Sequence, residues 1–152
     1  MILFLLFSLM DRIQSMVGQK IVIYNTEGNI LILKRSKISV GPWWRDLPWW
    51  WILLNESAIE CLEREIFEET GLQNIEGISP IYTTAKTYSD GTHSFLVGYI
   101  GRISSEQNVI ISHEHTEYLW INPNDIEKYG LPEHRVATVK KSIAPGCETY
   151  LP

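Results

Sequence analysis

The chain has 152 residues, of which 45% are hydrophobic and 20% are charged. This length and composition are those of one globular domain with its own core, and they exclude an intrinsically disordered protein. The formal net charge of −5 excludes a general binder of duplex DNA, because such binding needs lysine and arginine to neutralise phosphates. The two cysteines, Cys61 and Cys147, provide no disulfide framework, so we expect a reducing, cytoplasmic location.

The N-terminus begins with a nearly uniform apolar run, MILFLLFSLM. A membrane-spanning helix needs about 20 apolar residues, and a secretory signal needs a basic start and a small-residue cleavage site. Neither is present, so we expect no firm membrane association. We interpret residues 1–16 as an apolar extension produced by an upstream start, with a membrane-associating or partner-binding tail as the alternative. The predicted domain covers residues 17–145, and residues 146–152 form a C-terminal tail.

Two β-rich segments open the predicted domain. Residues 20–24 and 30–35 flank a turn that contains Gly28, which predicts a β-hairpin. After a loop, residues 43–54 are predicted to be extended, and this segment holds five of the six tryptophans of the chain.

A capped helix follows the tryptophan segment. Ser57 and Glu60 have the spacing of an N-terminal capping box, and Gly71 suits a left-handed C-terminal cap. The apolar residues recur at helical spacing and predict the face that packs on a sheet: Ala58, Ile59, Leu62 and Ile66.

Three carboxylates cluster in the second half of this helix. Glu65, Glu68 and Glu69 lie three and four positions apart, so they share one helix face, which we place largely off the apolar stripe. Like charges at this spacing repel. A divalent cation such as Mg²⁺, which takes oxygen ligands, would reverse the sign of that interaction.

The second half of the chain alternates strands and helices. Residues 81–88, 93–103, 109–112 and 118–121 are predicted strands, followed by a helical turn over 126–129 and a helix over 131–141. Strands, an acidic helix, further strands and a terminal helix predict a single-domain α/β sandwich.

The acidic helix resembles the Nudix box, G-x5-E-x7-R-E-U-x-E-E-x-G-U, in which U is a bulky aliphatic residue. Eight positions match at the required spacing: Glu56, Arg64, Glu65, Ile66, Glu68, Glu69, Gly71 and Leu72. The resemblance implies the Nudix fold, an α/β/α sandwich with a mixed β-sheet. It also implies a Mg²⁺-dependent hydrolase, with Mn²⁺ as the alternative cation. Its small-molecule nucleotide substrate would carry a pyrophosphate bond between a nucleoside diphosphate and another moiety, and the protein would be a monomer or homodimer.

The resemblance also implies roles for the matching glutamates. Glu65, Glu68 and Glu69 would be the metal ligands and catalytic residues, and Glu56 would support the metal site. Arg64 would orient a carboxylate through its planar guanidinium, by pairing with Glu68 or Glu60.

Three further residues are candidates outside the helix. Glu117 is the candidate general base, with Glu114 as the alternative, because the segment around them resembles the acidic segment ahead of a late strand in Nudix proteins. Arg35, after the second strand, is a candidate for substrate binding through phosphate, and Trp50 is a second substrate-binding candidate.

The tryptophans mark the one departure from the motif. Trp49 and Trp50 stand where the family has glycines, and a left-handed backbone there would cost a tryptophan about 1–2 kcal/mol. Three explanations are open: a remodelled loop with altered activity, a Nudix-like domain that binds a nucleotide or protein without hydrolysis, and a misread sequence.

Overall fold

Strand β1 (Ser15–Tyr24) is the central strand of a seven-stranded mixed sheet in the computed structural model, which describes residues 15–37 and 45–145. Most of the predicted N-terminal extension, the C-terminal tail, Cys147, and the first two residues of the tryptophan segment lie outside the described residues. The other strands are β2 (Ile30–Arg35), β3 (Arg45–Asp46), β4 (Trp49–Trp51), β5 (Glu76–Thr87), β6 (His93–Arg102) and β7 (His115–Ile121).

The two edges of β1 have different neighbours. One edge pairs in parallel with β6 along its whole length, from Ser15 opposite His93 to Tyr24 opposite Arg102. The other edge is divided. The end of β1 pairs with β2 through the predicted hairpin, and its middle pairs with the short strand β4. This division brings the tryptophans of β4 beside the centre of the sheet.

Side chains alternate across β1 and supply a core on each face of the sheet. Ile21 and Ile23 pack with α1 (Ala58–Thr70), whereas Val22 and Tyr24 face α2 (Glu133–Ser142) and the 3₁₀ helix Pro123–Tyr129. All four of these side chains are 9% exposed or less. The predicted α/β/α sandwich with a mixed sheet is confirmed.

The predicted caps of α1 are confirmed. Ser57 accepts a hydrogen bond from the Glu60 backbone N–H, and Glu60 accepts one from the Ser57 backbone N–H. Gly71 ends the helix in the left-handed region with φ 71°. The predicted apolar stripe is wrong for Ile59, which is 43% exposed. No helix among the described residues has both the length and the apolar character needed to cross a bilayer.

Residues 109–112 do not form the predicted strand. Ile110 donates its backbone N–H to the Thr70 carbonyl at 2.8 Å, and Ser112 donates to the Glu69 carbonyl at 3.1 Å. The last carbonyls of a helix have no partner within the helix, so this segment caps α1 instead of pairing with a strand. Its course leads the chain past the acidic face of the helix.

Candidate active site

A pocket of about 450 Å³ opens beside the acidic face of α1. Five of the predicted site residues meet in its wall: Arg35, Trp50, Glu65, Glu68 and Glu69. Glu114, the alternative candidate for the general base, also lines the pocket. The residues that complete the lining were not predicted as site residues: Trp49, Trp51, Leu53, Ser112 and His113.

Arg64 organises three carboxylates around one guanidinium. Its Nε and Nη2 atoms donate to the two carboxylate oxygens of Glu56 at 2.7 and 3.0 Å. Its Nη1 donates to Glu65 at 2.8 Å and to Glu68 at 3.1 Å. The hydrogen bonds from Arg64 lower the pKa of Glu56. Of the two predicted pairings, Glu68 is a partner, whereas Glu60 is engaged in the helix cap.

Glu69 lies on the buried face of α1, so its predicted place off the apolar stripe is wrong. Its side chain is 7% exposed, because its position brings it next to the sheet edge at Trp49. Burial raises the pKa of Glu69 to about 8. The carboxylates of Glu65 and Glu114 act in the same direction, and the backbone N–H of Trp49 opposes them. The Oε2 atom of Glu69 is buried without a hydrogen-bond partner.

The donor set of this pocket fits a hard divalent cation. Mg²⁺ prefers carboxylate oxygens and leaves room for water and phosphate, and the unpartnered Oε2 of Glu69 is an acceptor that a cation would satisfy. In the described part of the chain, no three acidic, histidine or cysteine side chains are grouped closely enough to hold a metal as they stand. Glu65 and Glu68 are bonded to Arg64, so binding a cation requires their carboxylates to turn towards Glu69.

The three tryptophans of β4 are matched one by one to residues of β1. Trp51 lies opposite Gly18, Trp50 opposite Gln19, and Trp49 opposite Lys20. Residues directly opposite on antiparallel strands contact through their side chains. The segment therefore forms a strand in which each tryptophan lies opposite a residue of β1.

Gly18 and Gln19 accommodate two of these indoles. A Cβ atom on Gly18 would lie 2.5 Å from Cδ2 of Leu96 and 3.0 Å from Cζ3 of Trp51, so glycine makes room for both side chains. Gln19 accepts a hydrogen bond from Nε1 of Trp50 at 2.8 Å and donates to the Tyr99 hydroxyl at 3.1 Å. Trp50 is 5% exposed and belongs to the core, which leaves only a small part of it at the pocket wall.

The backbone strain expected at the tryptophans is absent. Trp49–Trp51 is an extended strand, and the left-handed conformation within this loop occurs at Asn55, with φ 67°. Asparagine tolerates that region far better than tryptophan. The tryptophans therefore do not incur that cost, because the left-handed turn lies four positions beyond Trp51.

The third indole, Trp49, contacts two cations. The Lys20 Nζ lies 4.8 Å from the centre of the Trp49 ring, and Cζ of Arg35 lies 5.3 Å from it. Trp49 also meets Trp51 edge to face, with ring centres 5.5 Å apart. Lys20 and Arg35 are 3% and 7% exposed.

A buried ionic cluster behind Trp49 was missed by the sequence reasoning. Asp46 accepts hydrogen bonds from Nε and Nη2 of Arg135 at 2.8 and 2.9 Å, and one from Lys20 at 3.3 Å. Burial lowers the pKa of Lys20 to about 8, although Asp46 opposes the shift. Burial also opposes ionisation of Asp46, but the two cations outweigh it and lower the Asp46 pKa. No local pattern identifies this cluster, because its members belong to three separate elements.

The structure separates the two candidates for the general base. Glu117 pairs with Arg45 at 3.0 Å and with Lys34 at 3.7 Å, and it is not among the residues that line the pocket. Glu114 does line the pocket, since the segment that caps α1 carries it there. Proximity to the acidic helix therefore favours Glu114.

Comparison with known proteins identifies the family to which this chain belongs. A model of the NUDIX domain matches residues 15–142. A comparison of the sequence with curated proteins finds no match.

Solved structures of similar fold include the MutT protein from Methanosarcina mazei Go1, which is 23% identical, with 85% of this chain and 93% of that chain covered and a TM-score of 0.71. A C. elegans Ap4A hydrolase in a binary complex is 20% identical, with coverage of 83% and 93% and a TM-score of 0.68. The NUDIX domain of Shewanella oneidensis NrtR, complexed with ADP ribose, is 17% identical, with coverage of 90% and 93% and a TM-score of 0.69. These likenesses establish the fold. Because the family model also matches most of the sequence, the chain belongs to the NUDIX domain family.

Proposed function

We propose that the chain is a Mg²⁺-dependent pyrophosphohydrolase whose substrates contain a nucleoside diphosphate linked to another moiety. The observation that carries the proposal is Glu69, a buried carboxylate with an unpartnered oxygen at a pocket that also contains Glu65, Glu68 and Glu114. Two structures of the same fold, the Ap4A hydrolase and the NrtR domain with ADP ribose, concern compounds of this chemical class.

The acidic residues of the pocket and Arg64 have separate roles in the proposed hydrolysis. Hydrolysis of a phosphoanhydride requires charge neutralisation and a positioned water. When bound, Mg²⁺ supplies positive charge to phosphate oxygens and lowers the pKa of water. Glu65, Glu68 and Glu69 would hold it, and Arg64 limits the rotamers of two of these carboxylates.

Two residues at the pocket wall complete the proposal. Arg35 binds a phosphate oxygen, since a guanidinium donates to such oxygens in a fixed geometry. Glu114 takes the proton from the attacking water, in place of Glu117, whose carboxylate is engaged with Arg45.

The proposal is tested with purified protein, MgCl₂ or MnCl₂, and a panel of nucleoside triphosphates, ADP-ribose and dinucleoside polyphosphates. Glu69→Gln is expected to lower kcat/KM by about 100-fold or more, beyond the 10- to 100-fold typical of residues that only orient metal ligands. Glu63→Gln is the matched control, because Glu63 is an exposed glutamate of the same helix outside this pocket. Absence of turnover across the panel in folded wild-type protein would refute the proposal.

A nucleotide-binding domain without hydrolysis is the second candidate. It is favoured by Trp49 and Trp50 in place of the loop glycines. Calorimetry that detects binding of ADP-ribose by protein without turnover would support it. Restoring glycine at Trp50 is a poor test, because removal of a buried indole from the core costs about 3–5 kcal/mol.

A further inference from the structure

Trp49 contacts both an acidic residue of the pocket and two cationic side chains. Its backbone N–H interacts with the carboxylate of Glu69. Its ring lies within 5.3 Å of the Arg35 guanidinium and within 4.8 Å of the Lys20 ammonium. A glycine at this position would supply the backbone group but no ring.

We propose that Trp49 is a positioning residue for Arg35: its indole holds the guanidinium at the pocket wall, where the substrate phosphate binds. The inference rests on the proposed function, because it assigns Arg35 to a phosphate oxygen. Trp49 thereby takes a role in substrate affinity that the loop glycines of the motif cannot perform.

The electrostatics of the pocket explain why such a residue is needed. Four carboxylates line the pocket, so a polyphosphate meets repulsion unless cations face it. Arg35 and Lys20 repel each other, and the negative face of an indole attracts both. The ring also restricts the conformations of the Arg35 side chain before substrate binds. Binding then costs less side-chain entropy, which increases the affinity.

The fold holds the ring in place without help from the ligand. Trp49 is paired across the strands with Lys20, and Lys20 is fixed in turn by Asp46 at 3.3 Å. Trp51 packs edge to face with Trp49, with ring centres 5.5 Å apart. The indole is therefore a preorganised surface for the guanidinium.

The test is a double-mutant cycle between Trp49 and Arg35, which isolates their coupling. Wild type, Trp49→Leu, Arg35→Ala and the double variant are titrated with inorganic pyrophosphate and with ADP-ribose by calorimetry in Mg²⁺. Where a substrate is turned over, KM and kcat are measured separately. Trp49→Leu is expected to weaken binding about 3- to 30-fold, the range of a partly desolvated cation–π contact. In the Arg35→Ala background, Trp49→Leu is expected to change affinity less than about twofold.

A ring-preserving variant and a distant indole provide the controls. Trp49→Phe keeps an aromatic face and removes an indole N–H that is buried without a partner, so it should restore most of the affinity. Trp120→Leu removes an indole from β7, outside the pocket lining, and should leave the affinity unchanged. If Trp49→Leu does not fold, Trp49→Met replaces it in the cycle, because its unbranched, flexible side chain adapts to an irregular space without an aromatic face.

The outcomes distinguish this inference from the proposed function. Equal losses from Trp49→Leu in both backgrounds, or no rescue by Trp49→Phe, would overturn the positioning role and leave the hydrolase proposal intact. Failure of the wild-type protein to bind either probe would overturn the positioning role, and the hydrolase proposal falls with it only when the whole substrate panel also shows no turnover.

Discussion

Replacing Glu69 by glutamine is expected to stabilise the metal-free protein at alkaline pH. Burial raises the pKa of Glu69 to about 8 from an ordinary value of 4.5. Between these pH values the folded protein keeps a proton that the unfolded chain has lost, so stability falls as pH rises from about 4.5 to 8. At 1.36 kcal/mol per pH unit, the ionised carboxylate costs up to about 4–5 kcal/mol of folding free energy.

The amide in Glu69→Gln cannot ionise, has nearly the same shape, and can still accept a hydrogen bond from the Trp49 backbone N–H. We therefore expect the free energy of unfolding of the variant to exceed that of wild type by about 2 kcal/mol or more at pH 8, and the two values to differ little at pH 5. Adding MgCl₂ should make wild type the more stable of the two proteins at pH 8, since a ligand that binds only the folded wild type stabilises it by mass action.

The assay is urea unfolding at pH 5 and pH 8, in EDTA and in MgCl₂, with Glu63→Gln as the exposed control on the same helix. If Glu69→Gln gains no stability at pH 8 in EDTA, the carboxylate is not desolvated as described. If MgCl₂ stabilises wild type and Glu69→Gln equally, the carboxylate is not a metal ligand.

Three further substitutions test the architecture of the site. Gly18→Ala places a Cβ atom 2.5 Å from Cδ2 of Leu96 and 3.0 Å from the ring of Trp51 and should cost about 1–3 kcal/mol in urea unfolding; unchanged stability would contradict the close packing of these two side chains around Gly18. Asp46→Asn leaves two buried cations without their counter-charge and should cost about 3–5 kcal/mol, measured the same way, whereas a loss below 1 kcal/mol would show that water reaches the cluster. Arg64→Lys loses the two-point contact with Glu56 and should lower kcat/KM about 10- to 100-fold, with a thermal midpoint close to wild type; full activity would remove the orienting role.

The parts of the site that follow from local spacing were predictable. The capping box of α1, its left-handed glycine and the shared face of the carboxylates depend on residues a few positions apart, and helix geometry alone brings them together. The pairing of Arg64 with Glu68 follows from the same rule.

Contacts between distant segments were not predictable in this way. Trp50 and Gln19 are 31 positions apart, and Asp46 and Arg135 are 89 positions apart. Trp50 and Gln19 meet because β4 pairs with the part of one edge of β1 that β2 leaves free. Asp46 is positioned instead by the pairing of β3 with β2, and both pairings depend on the whole sheet. The pairing of β4 with β1 also buries Glu69. It places the tryptophans in an extended strand, where they carry no left-handed backbone strain.

Spacing along the chain was enough to specify the family and the acidic helix, because a helix converts sequence intervals into a fixed surface pattern. Only the folded sheet decided which carboxylate is buried, which two cations lie against Trp49, and which of Glu114 and Glu117 lines the pocket. Those outcomes depend on strand register and desolvation, which arise when segments far apart in the chain pack together.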